Sequence, residues 1–162
     1  MHWSEVIEDR SLRDLPYKVE LNERGQVVLS PATKWHALVQ GMVIELLISL
    51  GLPGRTMPEC PVETLKGVRV PDVAWASHGL LDSQPGDTFT RAPELCIEVI
   101  SKSNTPEEIE EKVSLYLGAG ALEVWTCDLD GMMRFFAADG PLERSRLAPT
   151  FPLTVPVRGQ LT

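Results

Sequence analysis

The sequence predicts a mixed α and β fold in which helices pack on a β-sheet. Several short segments alternate between apolar and polar residues, which is typical of half-buried strands. Two longer segments instead repeat apolar residues at helical spacing. Because paired strands are mixed with these two helices, we expect an α+β fold with α/β-like character. The 162 residues, 43% of them hydrophobic, suffice for one domain with its own core over residues 1–162.

The chain begins with a polar stretch that predicts a short helix or an arm over residues 1–16. Residues 17–21 predict a strand, because apolar side chains alternate there with Lys18 and Glu20 on the opposite face. After a turn, residues 26–29 predict a second strand. We therefore expect an N-terminal β-hairpin.

The first long helix is predicted over residues 34–50, and the glycines and proline that follow it favour its end there. His36 lies in its first turn. A partly exposed polar residue near a helix cap and a residue of a functional site are both open interpretations of this histidine.

The middle of the chain predicts two strands and a loop. A short strand is expected near residues 62–65 and a longer one over residues 68–77. Asp72 shares a face of the longer strand with two alanines, whose small side chains leave space around the carboxylate. An aspartate after a proline is also common in turns, so both interpretations stay open. Residues 78–91 are polar and predict a loop of the length found in mobile flaps.

A buried strand is predicted over residues 95–100, because both of its faces are apolar except at Glu98. A carboxylate that is buried without a partner is destabilising, or it takes up a proton. We therefore expect a metal ion or a lysine beside Glu98.

The second helix has a strong start signal. Thr105 and Glu108 have the spacing of a capping box, with Pro106 at the first helical position. Lys112 falls within the apolar stripe of this helix. Its side chain either extends along the stripe to water or reaches the carboxylates on the sheet, and both interpretations stay open.

The last part of the chain predicts shorter elements. Residues 122–127 and 132–137 predict a pair of strands joined by a turn. The remainder is irregular, with short strands expected near residues 144–147 and 153–157.

Composition limits the range of functions. The net charge of −8 argues against a broad basic surface for nucleic acid, which needs clustered Lys and Arg. Three widely spaced cysteines without a CxxC pair indicate neither a zinc site nor a disulfide framework, and they fit a reducing cytoplasm. The polar N-terminus does not predict a signal peptide, and residues 37–52 are too short and polar to cross a bilayer. We expect a cytoplasmic protein without membrane contact.

Asp72, Glu98 and Lys112 are the groups that metal-assisted phosphodiester cleavage requires: two carboxylates on neighbouring strands and an ammonium. Mg²⁺ prefers hard oxygen ligands and keeps several waters, one of which becomes the nucleophile. The metal and the lysine offset the charge that develops in the transition state. Structural ion pairs are the alternative interpretation.

Four stretches of the sequence resemble one protein family: YKVELNERGQVVLSPATKWH, VPDVAWAS, APELCIEVISKSNT and EKVSLYLGAGALEVWTCD. The chain is similar there to the Uma two family, restriction-endonuclease-like proteins of the PD-(D/E)XK nuclease superfamily. The resemblance runs from about residue 17 to residue 136. It implies a restriction-endonuclease-like core, a central mixed β-sheet flanked by helices.

The resemblance also implies site residues. It marks Asp72 as the aspartate of the PD pair and Glu98 as the acidic residue of the second motif. In our hypothesis both carboxylates hold the metal, with the backbone carbonyl of Val99 as a further candidate ligand. Ile100 stands where the superfamily pattern has a lysine, so the lysine is expected from the following helix. Lys112 matches that position, and Lys102 in the preceding turn is a weaker candidate. The further residues that could line the site are Glu20, His36 and Glu45.

The resulting hypothesis is a DNA endonuclease that depends on Mg²⁺ or Mn²⁺ and acts as a homodimer. A dimer would offset the acidic charge of the chain by gathering basic residues around the cleft: Arg55, Lys66, Arg69 and Arg91. Two alternatives stay open. One is a catalytically inactive module that keeps the nuclease fold for binding or interaction, and the other is a nuclease subunit or toxin-like effector whose specificity lies in a partner.

Overall fold

The structure is a computed structural model that describes residues 1–157 of the chain. Its helices are α1 (Trp3–Glu8), α2 (Lys34–Ser49), α3 (His78–Asp82) and α4 (Pro106–Gly118). Its strands are β1 (Tyr17–Leu21), β2 (Val27–Pro31), β3 (Gly54–Pro58), β4 (Val62–Thr64), β5 (Gly67–Arg69), β6 (Val73–Ser77), β7 (Leu95–Ile100), β8 (Glu123–Asp128), β9 (Met133–Ala137) and β10 (Gly140–Leu142). None of the described helices is long and apolar enough to span a membrane.

Six strands form one mixed sheet in the order β10-β9-β8-β7-β6-β3. Strands β7 and β8 are parallel and are connected through α4, whereas the other neighbouring pairs are antiparallel. The β1–β2 hairpin and the β4–β5 ribbon are separate two-stranded sheets. The predicted fold class, with its central mixed sheet, flanking helices and N-terminal hairpin, is confirmed.

Strand β7 is covered on both faces, as its apolar sequence predicted. On one face its side chains pack in a cluster with Val39, Val43 and Leu47 of α2. On the other face Cys96 packs in a cluster with Tyr116 of α4. Full burial of one such aliphatic or aromatic side chain contributes about 1.5–3 kcal/mol, so this packing fixes both helices against the central strand.

The predicted start of α4 is confirmed. The Thr105 side chain accepts a hydrogen bond from the Glu108 backbone N–H at 3.2 Å, and the Glu108 side chain accepts one from the Thr105 N–H at 3.1 Å. Pro106 occupies the first turn. This cap fixes the helical register, and with it the face on which Lys112 and Tyr116 lie together.

The strand predicted over residues 68–77 is wrong in one respect, because it is broken in the middle. Strand β5 pairs with β4, whereas β6 pairs with β3 and β7. Between them, the Val70 N–H donates to the Glu20 carboxylate at 2.8 Å instead of to a strand, and Pro71 has no N–H to donate. Asp72 therefore lies at the entry to β6.

Two further elements, β3 and α3, differ from the sequence prediction. Strand β3 was not predicted, since its sequence GRTMP has glycine and proline at its ends and lacks a clear alternation. It forms because it pairs with β6 along five residues. Helix α3 replaces the first part of the predicted loop, and the Ser77 side chain caps it by accepting from the Leu80 N–H at 3.2 Å.

The short strands predicted near residues 144–147 and 153–157 are also wrong. In the first segment, the N–H groups of Arg146 and Leu147 donate to the buried Glu123 carboxylate at 2.6 and 3.0 Å. In the second, Thr154 forms only an isolated bridge with Met132. Strand β10 forms instead, and the part of the predicted tail over residues 158–162 lies outside the described residues.

Glu123 organises the C-terminal segment, and its removal is expected to destabilise the fold. Its carboxylate also accepts hydrogen bonds from Trp125 Nε1 and Ser145 Oγ, each at 2.7 Å. Glu123→Ala leaves these buried donors unpaired and should lower the free energy of unfolding by about 3 kcal/mol. Urea denaturation measures the change.

The matched control is Glu107→Ala, which removes an exposed carboxylate from α4 and should change stability by less than about 0.5 kcal/mol. A Glu123 variant as stable as this control would contradict the role of the carboxylate.

Candidate functional site

Seven polar side chains meet where the β1–β2 hairpin, the central sheet, α2 and α4 come together. They are Lys18, Glu20, His36, Asp72, Glu98, Lys112 and Tyr116. The three carboxylates are almost completely buried, with 1–3% of each residue exposed. A cavity of about 290 Å³ lies beside them and is lined by the second hairpin strand and by part of the turn before α4.

Asp72 is fixed by groups from three elements. Its Oδ2 accepts a hydrogen bond from the Val99 N–H at 2.7 Å and lies 3.3 Å from His36 Nε2. Its Oδ1 accepts from Lys18 Nζ at 3.0 Å. Gln40, one turn after His36, donates to the Asp72 backbone carbonyl at 2.8 Å. The carboxylate is therefore held in one orientation.

Glu98 is the carboxylate on which both lysines converge. Its Oε1 accepts from Tyr116 Oη at 2.7 Å and from Lys112 Nζ at 3.3 Å. Its Oε2 lies 3.4 Å from Lys18 Nζ. In the antiparallel register, Val73 pairs with Ile97, so the next position places Asp72 opposite Glu98.

Glu20 completes the acidic cluster from the hairpin. Its Oε1 accepts from the Val70 N–H at 2.8 Å and from Lys112 Nζ at 3.3 Å. Lys112 therefore bridges Glu20 and Glu98, and it does not extend along the helix to water.

Of the other candidate residues, the structure brings His36 to the cluster and leaves Glu45 and Lys102 out. His36 lies at the cavity, next to Asp72. Glu45 is exposed on α2, and Lys102 is exposed in the turn before α4. Neither residue lines the cavity. These two assignments from the sequence are not supported by the geometry.

The sequence interpretation missed Lys18 and Tyr116. Lys18 lies two residues before Glu20, and side chains at that spacing share a face of a strand. The alternation of β1 could therefore have placed Lys18 at the site together with Glu20. Tyr116 was counted only in the apolar stripe of α4. A buried tyrosine hydroxyl usually finds a hydrogen-bond partner, and Glu98 is that partner.

Burial and charge act in opposite directions on the pKa values of the cluster. Burial alone would raise the pKa of Asp72, but the His36 hydrogen bond, the Lys18 charge and the Val99 N–H together lower it. For Glu98, burial and the nearby carboxylates raise the pKa more than the two lysines lower it. Burial would lower the pKa of Lys18, yet the carboxylates Glu98, Asp72 and Glu20 raise it, so Lys18 is charged at neutral pH.

The donor set fits a hard divalent cation that keeps most of its waters. Among residues 1–157, no three His, Cys, Asp or Glu side chains are arranged to hold a metal by themselves. Two carboxylates, Asp72 and Glu98, nevertheless face one position, and the Lys18 ammonium lies within 3.4 Å of both. Mg²⁺ is commonly bound through one or two carboxylates plus waters. The Lys18 ammonium lies at the position where Asp72 and Glu98 would hold such a cation.

The central mixed sheet and the N-terminal hairpin agree with the restriction-endonuclease-like core that the resemblance implied. Residues 9–139 match the model of the family Uma2, described as "Putative restriction endonuclease". The chain belongs to this family, which confirms the resemblance of its motifs. A search of curated protein sequences found no significant match.

A solved structure has the same fold. It is the crystal structure of a protein described as "a putative nuclease belonging to DUF820" from Anabaena variabilis. The two chains superpose with a TM-score of 0.66 and 16% sequence identity, over 85% of this chain and 79% of the other. At this identity, the similarity establishes the fold of the chain and not its activity.

Tyr116→Phe tests how strongly the tyrosine hydroxyl stabilises the cluster. The variant leaves Glu98 without its shortest hydrogen bond, and a bond to a charged group contributes about 1.5–3 kcal/mol. We expect a loss of that size in the free energy of unfolding, measured with urea. Tyr17 is 42% exposed, so Tyr17→Phe is the matched control. Equal stability of the two variants would contradict the assignment.

The lowered pKa of Asp72 predicts a dependence of stability on acid. A carboxylate whose folded pKa is depressed contributes stability above its unfolded pKa of 3.8, and this contribution is lost as pH falls towards the folded pKa. In metal-free buffer, the stability of the wild type should therefore fall more steeply below pH 4 than that of Asp72→Asn. Urea denaturation over a pH series measures both slopes, and parallel slopes would rule out this contribution.

Proposed function

We propose that the chain is a metal-dependent endonuclease that hydrolyses DNA phosphodiester bonds. The main support for this proposal is that Asp72, Glu98 and Lys112 meet in one largely buried cluster in a chain of the Uma2 family. Asp72 and Glu98 would hold Mg²⁺ or Mn²⁺, with the backbone carbonyl of Val99 as a further candidate ligand. When bound, the metal would polarise the phosphate and lower the pKa of a coordinated water.

Lys112 supplies the ammonium that the superfamily pattern places two residues after the glutamate. Its Nζ is held 3.3 Å from both Glu20 and Glu98, and the residue lines the cavity. From this position, it orients the attacking water and offsets the negative charge that develops on the phosphate. Glu20 is a positioning residue for Lys112, and Tyr116 is one for Glu98.

Binding of DNA has to overcome the net charge of −8. The four basic residues expected around the cleft do not line the cavity: Arg69 is buried and Lys66 pairs with Glu111 on the surface, whereas Arg55 and Arg91 are exposed elsewhere. We propose a homodimer, in which residues of the second copy add contacts along the duplex. We also propose that the protein is cytoplasmic.

A catalytically inactive binding module is the second candidate function. It is favoured because both lysines pair with carboxylates of the cluster. In addition, no three His, Cys, Asp or Glu side chains among residues 1–157 are arranged to hold a metal by themselves. Such a chain would keep the buried network for stability alone.

Cleavage of plasmid DNA with Mg²⁺ or Mn²⁺ distinguishes the two functions. We expect cleavage by the wild type that stops when EDTA removes the metal. Asp72→Asn and Lys112→Met should each lower the rate by about 100-fold or more, because each removes a charged group that acts in the transition state.

Glu45→Gln and Lys102→Met are the matched controls, since both side chains are exposed and lie off the cavity. They should cleave like the wild type. Cleavage that persists in purified Asp72→Asn would overturn the nuclease assignment, and a wild type that binds DNA without cutting it would favour the binding module.

A further inference from the structure

Lys18 is the one member of the described cluster that contacts both carboxylates proposed to bind the metal. Its Nζ lies 3.0 Å from Asp72 Oδ1 and 3.4 Å from Glu98 Oε2. Lys112 contacts Glu98 but pairs on its other side with Glu20. The two lysines therefore occupy different positions, and Lys18 alone stands between the proposed ligands.

We propose that the Lys18 ammonium is a resident cation that occupies the metal position and has to withdraw before a divalent metal binds. This inference rests on the proposed metal site at Asp72 and Glu98. It assigns to Lys18 a role in metal binding that is distinct from the role of Lys112 in hydrolysis.

The charges of the cluster support this competition. With all three buried carboxylates ionised, they face two ammonium groups, Lys18 and Lys112, and one negative charge remains before any contribution from His36. When Lys18 withdraws, two negative charges remain, and a divalent cation neutralises both. A divalent cation in addition to Lys18 would instead make the buried cluster positive, which is unfavourable in a medium of low dielectric constant.

The surroundings of Lys18 allow it to move. It lies on the β1–β2 hairpin, which is not part of the central sheet, and it lines the cavity together with Val28 and Ser30 of the second hairpin strand. Its side chain is 11% exposed, less than the 19% of Lys112, so its freedom to withdraw comes from the flexible four-carbon stem and from the cavity that it lines. Lys112, by contrast, projects from a helix that packs directly on the sheet.

Titration of the wild type, Lys18→Met and Lys102→Met with Mn²⁺ by isothermal calorimetry tests the proposal. Methionine keeps most of the length of the stem and removes the competing charge. We expect Lys18→Met to bind Mn²⁺ at least about tenfold more tightly than the wild type. Lys102→Met, which loses a charge from an exposed turn off the cavity, should bind like the wild type.

The outcomes separate this inference from the proposed function. If the wild type binds Mn²⁺ and Lys18→Met binds it equally or more weakly, the resident-cation role is overturned while the metal site stands. If Lys102→Met gains as much affinity as Lys18→Met, the gain comes from the change in overall charge and not from the position of Lys18, and the inference also fails. If none of the three proteins binds Mn²⁺, the proposed metal site fails and the inference fails with it.

A second measurement does not depend on the folding of a variant. In a crystal structure of the wild type with bound Mn²⁺, we expect Lys18 Nζ to lie more than about 4 Å from both carboxylates, outside ion-pair distance. A Lys18 that still bridges Asp72 and Glu98 beside the bound metal would overturn the proposal.

Discussion

The burial of three carboxylates in one place is the constraint on which the rest of the structure depends. Glu20, Asp72 and Glu98 each expose 3% or less of their surface. A buried carboxylate is strongly destabilising unless cations and hydrogen-bond donors surround it. Each element that meets at this point therefore brings at least one such group, and the geometry of the site follows from that requirement.

The repeat of strands and helices places these groups in pairs on one face of each element. Strand β1 brings Lys18 and Glu20 from alternate positions on one face. Helix α4 brings Lys112 and Tyr116, and α2 brings His36 and Gln40, in each case from positions one turn apart. Three elements that are distant in sequence thereby converge on the same two sheet strands.

The charge compensation that stabilises the metal-free cluster opposes the binding of a metal. Without a metal, the two lysines compensate the carboxylates and the cluster is satisfied internally. The proposed hydrolysis requires one of these compensating charges to give way to a divalent cation. The affinity for the metal is then the difference in free energy between the cluster with the metal bound and the cluster with the lysine in place. The lysine that withdraws determines how large this difference is.

The sequence by itself determined the fold class, the capped helix α4 and the buried strand with Glu98, because periodicity and capping are local properties. Periodicity left two interpretations open for Asp72 and for Lys112, and only the resemblance to the family named them as partners of Glu98. The sequence did not reveal Lys18 as the charge between Asp72 and Glu98, although Lys18 shares a face with Glu20. Nor did it reveal that the strand around Asp72 is broken, or that Glu123 holds the C-terminal segment. Those features depend on contacts between residues up to 80 positions apart, such as Lys18 with Glu98. The packing of the hairpin against the sheet decides the first two features, and the packing of the C-terminal segment against β8 decides the third. A strand specifies which side chains share a face but not what that face will meet.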